Sequence, residues 1–197
     1  VVRLARTREA VVRTGDLYLD ILKRLTRETQ ETSHASLLAG YQIATIAACE
    51  GLHNNRVVHE AGGRLEPHAT ASGIACLAYA GSEFQERALA RPLTAFADNT
   101  PMTPDDLLAA LARTRSCGYG TAPGTFDPEV FGIAAPIFGP KGLAIGAIAV
   151  ATPVSRMTPE LERHIARATI TAALEAARVE AGQVPAAYLS LTRTLLS

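Results

Sequence analysis

The residues best suited to chemistry lie in segment 62–80, which changes from a loop into a helix. The segment begins with two glycines and contains an X-Pro step, and both features favour turns and extended backbone. It then passes through Thr70 and Ser72, which are good helix caps, into apolar residues at helical spacing. The start of such a helix presents unpaired N–H groups and the positive end of the helix dipole, where a carboxylate or phosphate binds well. An ordinary capped helix explains the same spacing, so both interpretations stay open.

Thiol chemistry is the alternative to anion binding. The three cysteines, Cys49, Cys76 and Cys117, lie among apolar residues and are typical of reduced core thiols in a cytoplasmic protein. Cys117 could instead be a nucleophile with His68 as its base, although nothing in their spacing requires it. An enzyme or thiol redox protein that uses Cys76 or Cys117 therefore remains the alternative function.

The rest of the sequence lacks the usual patterns of catalytic or metal-binding residues. No histidine stands with a cysteine or an acid at metal-ligand spacing, and there is no phosphate loop or Gly-x-Ser-x-Gly elbow. The acidic residues lie mostly at helix starts and on polar faces, where capping and solubility explain them. We therefore predict no enzymatic activity, no metal and no cofactor.

Composition narrows the classes of partner. The chain has 197 residues, of which 48% are hydrophobic, and this suits one domain with appendages. It carries 19 basic and 19 acidic residues, so it lacks the basic excess of a stand-alone DNA- or RNA-binding domain. The longest apolar run, 143–151, is too short to cross a membrane. Because the chain begins with Val-Val-Arg and has no initiator Met, we expect a further segment upstream.

The elements that must position segment 62–80 are strands on both sides of it. Short runs rich in Leu, Ile, Ala and Thr predict strands at 36–40, 41–50 and 56–59. After the segment, 132–138 and 143–152 predict a hairpin, because Gly-Pro-Lys-Gly joins them. One face of the second strand dwindles to alanine, which leaves space for a close helix or for a ligand.

Helices are predicted around these strands. An apolar face begins near Leu17, and Thr103 starts a second helix that Gly118 ends. A long helix runs from Thr158 to about Ala181 with an inner stripe rich in alanine. The apolar tail 183–197 follows, and the sequence leaves open whether it docks on the body or on a neighbouring subunit.

Several motifs together resemble the C-terminal domain of IclR-type transcriptional regulators. The central one is Pro-His-Ala-Thr-Ala-Ser-Gly at 67–73, followed by an apolar helix. The others stand downstream in the family's order: Thr100 with Thr-Pro-Asp-Asp at 103–106, Arg115 before Gly118 and Tyr119, Gly-Ile-Ala-Ala-Pro-Ile at 132–137, and Pro153 with Arg156. Each motif is weak alone, but their order and spacing are specific over residues 13 to 182.

The resemblance implies an α/β fold of the α+β kind, similar to the GAF domain, with a mainly antiparallel sheet flanked by helices. It implies that residues 1–12 end a helix connecting to a missing N-terminal winged helix-turn-helix, that 13–182 form the effector-binding domain, and that 183–197 are a C-terminal tail. The chain would then be the half of a transcriptional regulator that senses a small molecule and forms a homodimer or homotetramer. DNA would be bound only through the missing domain. A ligand-free dimerisation domain is a third interpretation.

The expected effector is a small organic acid whose carboxylate meets the N–H groups near Ala71 and Ser72. The resemblance supplies the rest of the binding wall. Family members that take short keto acids look more polar at these positions, so this chain favours an acid with a larger, aromatic body. The predicted effector-binding residues are His68, Ala71, Ser72, Gly73, Tyr119, Ala122, Gly132, Ala149 and Ala151.

Overall fold

A six-stranded sheet organises residues 17–58 and 62–196, which are the residues that the computed structural model describes. The strands cross the sheet in the order third, second, first, sixth, fifth, fourth, and all neighbouring pairs are antiparallel. In chain order they are β1 (Thr32–Ala39), β2 (Gln42–Cys49), β3 (Arg64–Leu65), β4 (Gly120–Pro123), β5 (Val130–Phe138) and β6 (Ala144–Pro153). The hairpin predicted from the glycine-rich turn is confirmed as β5 and β6.

The helices lie on both faces of this sheet. They are α1 (described from 17 to 29), α2 (Ala71–Tyr79), α3 (Ser82–Leu89), α4 (Pro104–Cys117), α5 (Pro159–Val179) and α6 (Ala186–Leu196). No helix among the described residues is both long and apolar enough to cross a membrane.

The ends of the long helices follow from their capping residues. Thr103 and Asp106 form a capping box, in which each side chain accepts the other's backbone N–H. Gly118 ends α4 at a φ of 85°, a left-handed conformation that favours glycine. Thr158 caps α5 by accepting the N–H of Leu161. These three helix ends confirm the boundaries that the sequence predicts.

Side-chain alternation along β6 separates the two faces of the sheet. Ile148 and Val150 point into the larger core, which α1 and α5 cover with branched and alanine side chains. Ala147 and Ala149 point to the opposite face, where they pack against the start of α2. Helix α4 then covers α2 from outside through leucine and alanine contacts. The start of α2 therefore lies on an alanine-rich sheet face, between the sheet and α4.

The C-terminal tail docks on the body of the same chain. Tyr188 of α6 is buried, and its hydroxyl donates to the carbonyl oxygen of Gly118 at 2.8 Å. Its ring lies edge-on to Tyr79 and Phe138, with centroid distances of 5.3 and 4.9 Å. Docking on the body is one of the two alternatives that the sequence leaves open for this tail.

The strand predicted at 56–59 differs from the structure. Residues 56–58 are loop, and the remaining predicted residue, His59, lies outside the described residues. The strand that pairs with β2 is instead the short Arg64–Leu65. The predicted connecting helix, 1–12, also lies outside the described residues. The alanine stripe of α5 packs on the chain's own sheet, so it is not an exposed surface for a partner helix.

Candidate functional site

A cavity of about 160 Å³ opens between the alanine-rich face of the sheet and the first turn of α2. Its wall is mostly apolar, with a few polar side chains, as ligand sites generally are. The residues that line it are His34, Val57, Val58, Leu65, Ala69, Thr70, Ala71, Ser72, Ala122, Thr125, Phe126, Asp127, Val130, Gly132, Ala149 and Ala151.

The first turn of α2 supplies backbone donors to the cavity. Thr70 is the cap, and its hydroxyl accepts the N–H of Gly73 while its carbonyl oxygen accepts that of Ile74. The N–H groups of Ala71 and Ser72 belong to the first turn, where an α-helix offers no carbonyl partner. Both residues line the cavity. The positive end of the helix dipole therefore lies at the cavity wall.

Glycine and alanine allow α2 to approach the sheet closely. A Cβ at Gly132 would lie 3.0 Å from Ala71 Cβ, and one at Gly120 would lie 3.0 Å from the backbone nitrogen of Ala75. Both uses of space that the alanine face predicts are present. Ala149 contacts α2 and also lines the cavity, whereas Ala151 lines the cavity without belonging to the packed alanine cluster.

The buried side chains of His34 and Ser72 meet in the cavity lining. His34 on β1 is 6% exposed, and its Nε2 lies 3.2 Å from Ser72 Oγ, within hydrogen-bond distance. Thr125 lies nearby in the lining, and its hydroxyl donates to the carbonyl oxygen of Ala69 at 2.6 Å. Asp127 is exposed, and its Oδ1 accepts the N–H of Glu129.

The loop 50–58 contributes Val57 and Val58 to the wall and is held by hydrogen bonds. The Thr32 hydroxyl donates to the carbonyl oxygen of Val57 at 2.5 Å and accepts the N–H of Gly51 at 2.9 Å. Arg156 donates to the carbonyl oxygen of Asn55. This part of the wall is therefore fixed to β1 and to the residues after β6.

The buried carboxylate of Glu31 pairs with Arg156, the residue that also bonds to the loop 50–58. Glu31 is 1% exposed and lies 2.6 Å from Arg156 Nε and 3.9 Å from His53 Nε2. Burial raises the pKa of Glu31, and the charges of Arg156 and His53 oppose that rise. The ion pair joins the end of α1 to the segment after β6.

The structure brings together most of the predicted site residues. Six line the cavity: Ala71, Ser72, Ala122, Gly132, Ala149 and Ala151. The other three lie outside its lining. His68 donates through Nε2 to the carbonyl oxygen of Thr94 at 2.9 Å, so its ring holds a loop.

Gly73 and Tyr119 also have structural surroundings. A Cβ at Gly73 would lie 2.1 Å from the carbonyl oxygen of Pro67, so this position permits close packing of the 66–69 turn on α2. The Tyr119 hydroxyl donates to Glu162 at 3.4 Å, away from the cavity lining. Burial and the charge of Glu162 raise the pKa of Tyr119 to about 12.

The geometry disfavours thiol catalysis. Cys76 is completely buried, and this burial raises the pKa of its thiol. Burial also raises the pKa of Cys117, whose thiol donates to the carbonyl oxygen of Tyr119 at 3.1 Å. His68 has its own partner, Thr94, and is not hydrogen-bonded to Cys117. No cluster of three or more metal-ligating side chains occurs within 17–58 and 62–196.

The comparison with protein families decides the class of the chain. Residues 16–178 match the family model described as the bacterial transcriptional regulator IclR C-terminal domain. The chain belongs to the IclR family. The family that the sequence motifs indicate is thereby confirmed, and so is the expected fold class.

The relatives that the chain matches are named as transcriptional regulators. The HTH-type transcriptional regulator BhcR of Paracoccus denitrificans is 32% identical over 169 residues, which are 83% of this chain and 61% of BhcR. The transcriptional repressor IclR of Escherichia coli is 31% identical over 163 residues, which are 79% of this chain and 58% of that repressor. The chain thus spans about three fifths of the length of these relatives.

Solved IclR structures share the fold. A protein described as an IclR transcriptional regulator from Silicibacter sp. TM1040 is 39% identical, with a TM-score of 0.87, and the match covers 95% of this chain and 74% of that one. An IclR homologue from Microbacterium hydrocarbonoxydans, solved in complex with 4-hydroxybenzoate, is 26% identical, with a TM-score of 0.74. That match covers 86% of this chain and 70% of the homologue.

Sequence reasoning missed several residues in the lining of this IclR domain. His34 was missed because the predicted first strand began at 36, whereas β1 begins at Thr32. A strand predicted to begin at residue 32 would have included His34. In the structure, His34 pairs with Ala149 of β6. The other missed residues lie on loops, at the first or last residue of a strand or at the helix cap, where no periodic pattern marks them: Val57, Val58, Leu65, Ala69, Thr70, Thr125, Phe126, Asp127 and Val130.

Proposed function

We propose that this chain is the effector-binding half of a ligand-responsive transcriptional regulator. In this proposal the cavity at the start of α2 receives a small organic acid, and its occupancy controls a DNA-binding domain upstream of residue 1. The single observation that carries the proposal is a mostly apolar cavity whose wall includes Ala71 and Ser72, the first residues of α2. The names of the relatives support the regulatory role.

The proposed effector is an acid with an apolar, aromatic body. Its carboxylate meets the start of α2, where the dipole favours negative charge. The sheet side of the wall offers Ala122, Gly132, Ala149 and Ala151, which have no polar side-chain atoms, so a small and highly polar acid would leave its other polar groups unpaired there. The IclR homologue bound to 4-hydroxybenzoate supports an aromatic acid.

A thermal-shift panel tests this proposal. Benzoate and 4-hydroxybenzoate are compared with pyruvate and glyoxylate, each added to the 197-residue chain. A ligand at about a hundredfold over its Kd adds about 2.7 kcal/mol to the free energy of unfolding. For a chain of this size that raises the Tm by about 5–11 °C. Greater stabilisation by the short acids than by the aromatic ones contradicts the proposed effector class.

A cavity-filling variant tests the location. Ala151→Leu adds three carbons to a residue that lines the cavity but lies outside the alanine cluster packed on α2. We expect it to abolish the thermal shift while the protein remains folded. Ala112→Leu is the matched control, because it makes the same change on the exposed face of α4. Unchanged binding to Ala151→Leu places the effector elsewhere.

We also propose that the chain forms a homodimer or homotetramer. Soluble oligomers are most often homo-oligomers with closed symmetry. The alanine stripe of α5 is covered by the chain's own sheet, so the proposed interface lies on other surfaces. Sedimentation at micromolar concentration that shows only the 20.8 kDa monomer contradicts this proposal.

A further inference from the structure

A pair of phenylalanines lies where the loop between β4 and β5 meets the cavity. Phe126 lines the cavity, and its ring centroid lies 4.8 Å from that of Phe96, with 33° between the ring planes. Phe126 nevertheless stays 41% exposed, and Phe96 39%. The pair therefore leaves apolar surface beside the cavity that a bound ligand can cover, and covering it favours binding.

Hydrogen bonds hold the backbones that carry the two rings. The carbonyl oxygen of Val130 accepts the N–H of Gly124 at 2.9 Å, which closes the loop between β4 and β5. Within this loop the carbonyl oxygen of Thr125 accepts the Thr100 hydroxyl at 2.6 Å. The Thr100 hydroxyl oxygen also accepts the N–H of Phe96 at 3.0 Å. Both rings are thus carried by loops that are bonded to each other.

The same loop is bonded to the segment that precedes α2. The hydroxyl of Thr125 donates to the carbonyl oxygen of Ala69 at 2.6 Å, and Ala69 comes directly before the cap Thr70. Phe126 is the next residue after Thr125, and consecutive Cα atoms are about 3.8 Å apart. Phe126 therefore lies close to the start of α2. The ring of an aromatic acid is attached directly to its carboxylate, so an acid bound at the start of α2 has its ring within reach of Phe126.

The character of the lining makes Phe126 distinctive. Among the described residues of the lining, it carries the one phenyl ring. The alanine and glycine positions on the sheet side offer apolar surface to any hydrocarbon, whether flat or puckered. Two aromatic rings in contact gain about 2- to 12-fold in affinity beyond what their buried area provides, and a saturated ring does not gain this.

We propose that Phe126, positioned by Phe96, is the residue that makes the cavity select an aromatic acid over a saturated acid of the same size. The ring of the effector packs on the Phe126 ring while its carboxylate meets the start of α2. The role rests on the proposed function, because it concerns the same cavity and the same class of ligand. It adds a specificity contact outside the motif at 67–73 and outside the wall of small residues.

The experiment compares each aromatic acid with its saturated counterpart. The pairs are 4-hydroxybenzoate with trans-4-hydroxycyclohexanecarboxylate, and benzoate with cyclohexanecarboxylate. Isothermal titration of the 197-residue chain gives the aromatic-to-saturated affinity ratio for each pair. We expect Phe126→Leu, which keeps an apolar side chain but removes the ring, to lower this ratio about 2- to 12-fold. Phe126→Tyr keeps the ring and should leave the ratio unchanged.

A control variant and a direct measurement separate recognition from packing. Phe84→Leu is the matched control, because it makes the same change on α3, where Phe84 packs on the α2–α4 cluster outside the cavity lining. Its ratio should equal that of the wild type. An intermolecular NOE between the ring protons of the bound aromatic acid and those of Phe126 tests the contact in the wild type, so it decides the question if Phe126→Leu does not fold.

The outcomes distinguish this inference from the proposed function. A lower ratio in Phe126→Leu but not in Phe126→Tyr or Phe84→Leu, together with the NOE, supports the role of Phe126. An unchanged ratio in Phe126→Leu, an equal fall in Phe84→Leu, or the absence of the NOE overturns it while the proposed function stands. If the wild-type chain binds neither aromatic acid, this inference falls with the proposed effector class. If it binds none of the four acids of the thermal-shift panel, the proposed function falls as well.

Discussion

Replacing Gly73 with alanine is expected to destabilise the protein, although alanine is the better helix former. Gly73 lies in the first turn of α2, where the 66–69 turn packs directly on it. An added Cβ would lie 2.1 Å from the carbonyl oxygen of Pro67 and 2.3 Å from its Cα. These are backbone atoms, which cannot rotate away as the end of a flexible side chain can. The turn and the helix start would have to separate.

The magnitude follows from two opposing effects. Helix propensity alone favours alanine over glycine by about 1 kcal/mol. Forcing an extra carbon into a packed interior costs about 1–3 kcal/mol. The upper end applies here, because the contacts are more than about 1 Å shorter than ordinary van der Waals separation. The expected net loss is about 2 kcal/mol of unfolding free energy, or about 4–8 °C in Tm.

Urea and thermal unfolding of the ligand-free chain measure this loss. Gly40→Ala is the control, because Gly40 has a φ of 65° and no atom within 4 Å of an added Cβ. That variant bears only the cost of a left-handed conformation, about 1 kcal/mol. A Gly73→Ala variant that unfolds at or above the wild-type midpoint refutes the reasoning, since helix propensity would then outweigh the contact with Pro67.

Three further predictions follow from features outside the cavity. Tyr188→Phe leaves the buried carbonyl of Gly118 unpaired, so urea unfolding should show a loss of about 1–3 kcal/mol, and no loss would mean that this bond does not hold the tail. Burial raises the pKa of Glu31 above its ordinary 4.5, so the stability of the wild type relative to Glu31→Gln should fall as the pH rises above about 4.5, and parallel urea midpoints would contradict this. With 19 basic and 19 acidic residues, the chain should give no operator-specific gel retardation at about 150 mM salt, and a specific shift would show that counterion release is sufficient.

Local patterns predicted those parts of the fold that local chemistry determines. The hairpin of β5 and β6, the cap at Thr103 and the helix end at Gly118 each depend on a few neighbouring residues. The start of β1 was missed because Thr32, Ser33 and His34 are polar yet buried. Their partners come from distant segments, such as the Leu22 carbonyl oxygen that accepts from Ser33. Pairing of this kind cannot be found from periodicity.

The candidate site also divides into residues that local patterns mark and residues whose role depends on distant partners. Six small residues that line the cavity were predicted, because the family motif and the alanine face mark them in the sequence. His68 and Tyr119 were expected to be ligand contacts, since polar residues beside a binding motif look available. In the structure each bonds to a partner that is distant in sequence, Thr94 or Glu162. Val57 and Val58 resemble part of a strand because they are apolar and β-branched, but in the structure they line the cavity from a loop.

The central strand β1 makes the two faces of the sheet interdependent. His34 lies on the cavity face, while its neighbours Ser33 and Ala35 contact α1 and the core on the other face. A slip of β1 by one residue would exchange these two sets of side chains. A displacement of β1 that keeps this register would carry both sets of side chains together. Such a displacement reaches α1 directly, because only residues 30 and 31 separate that helix from β1. The cavity and α1 are therefore separated by the thickness of one sheet.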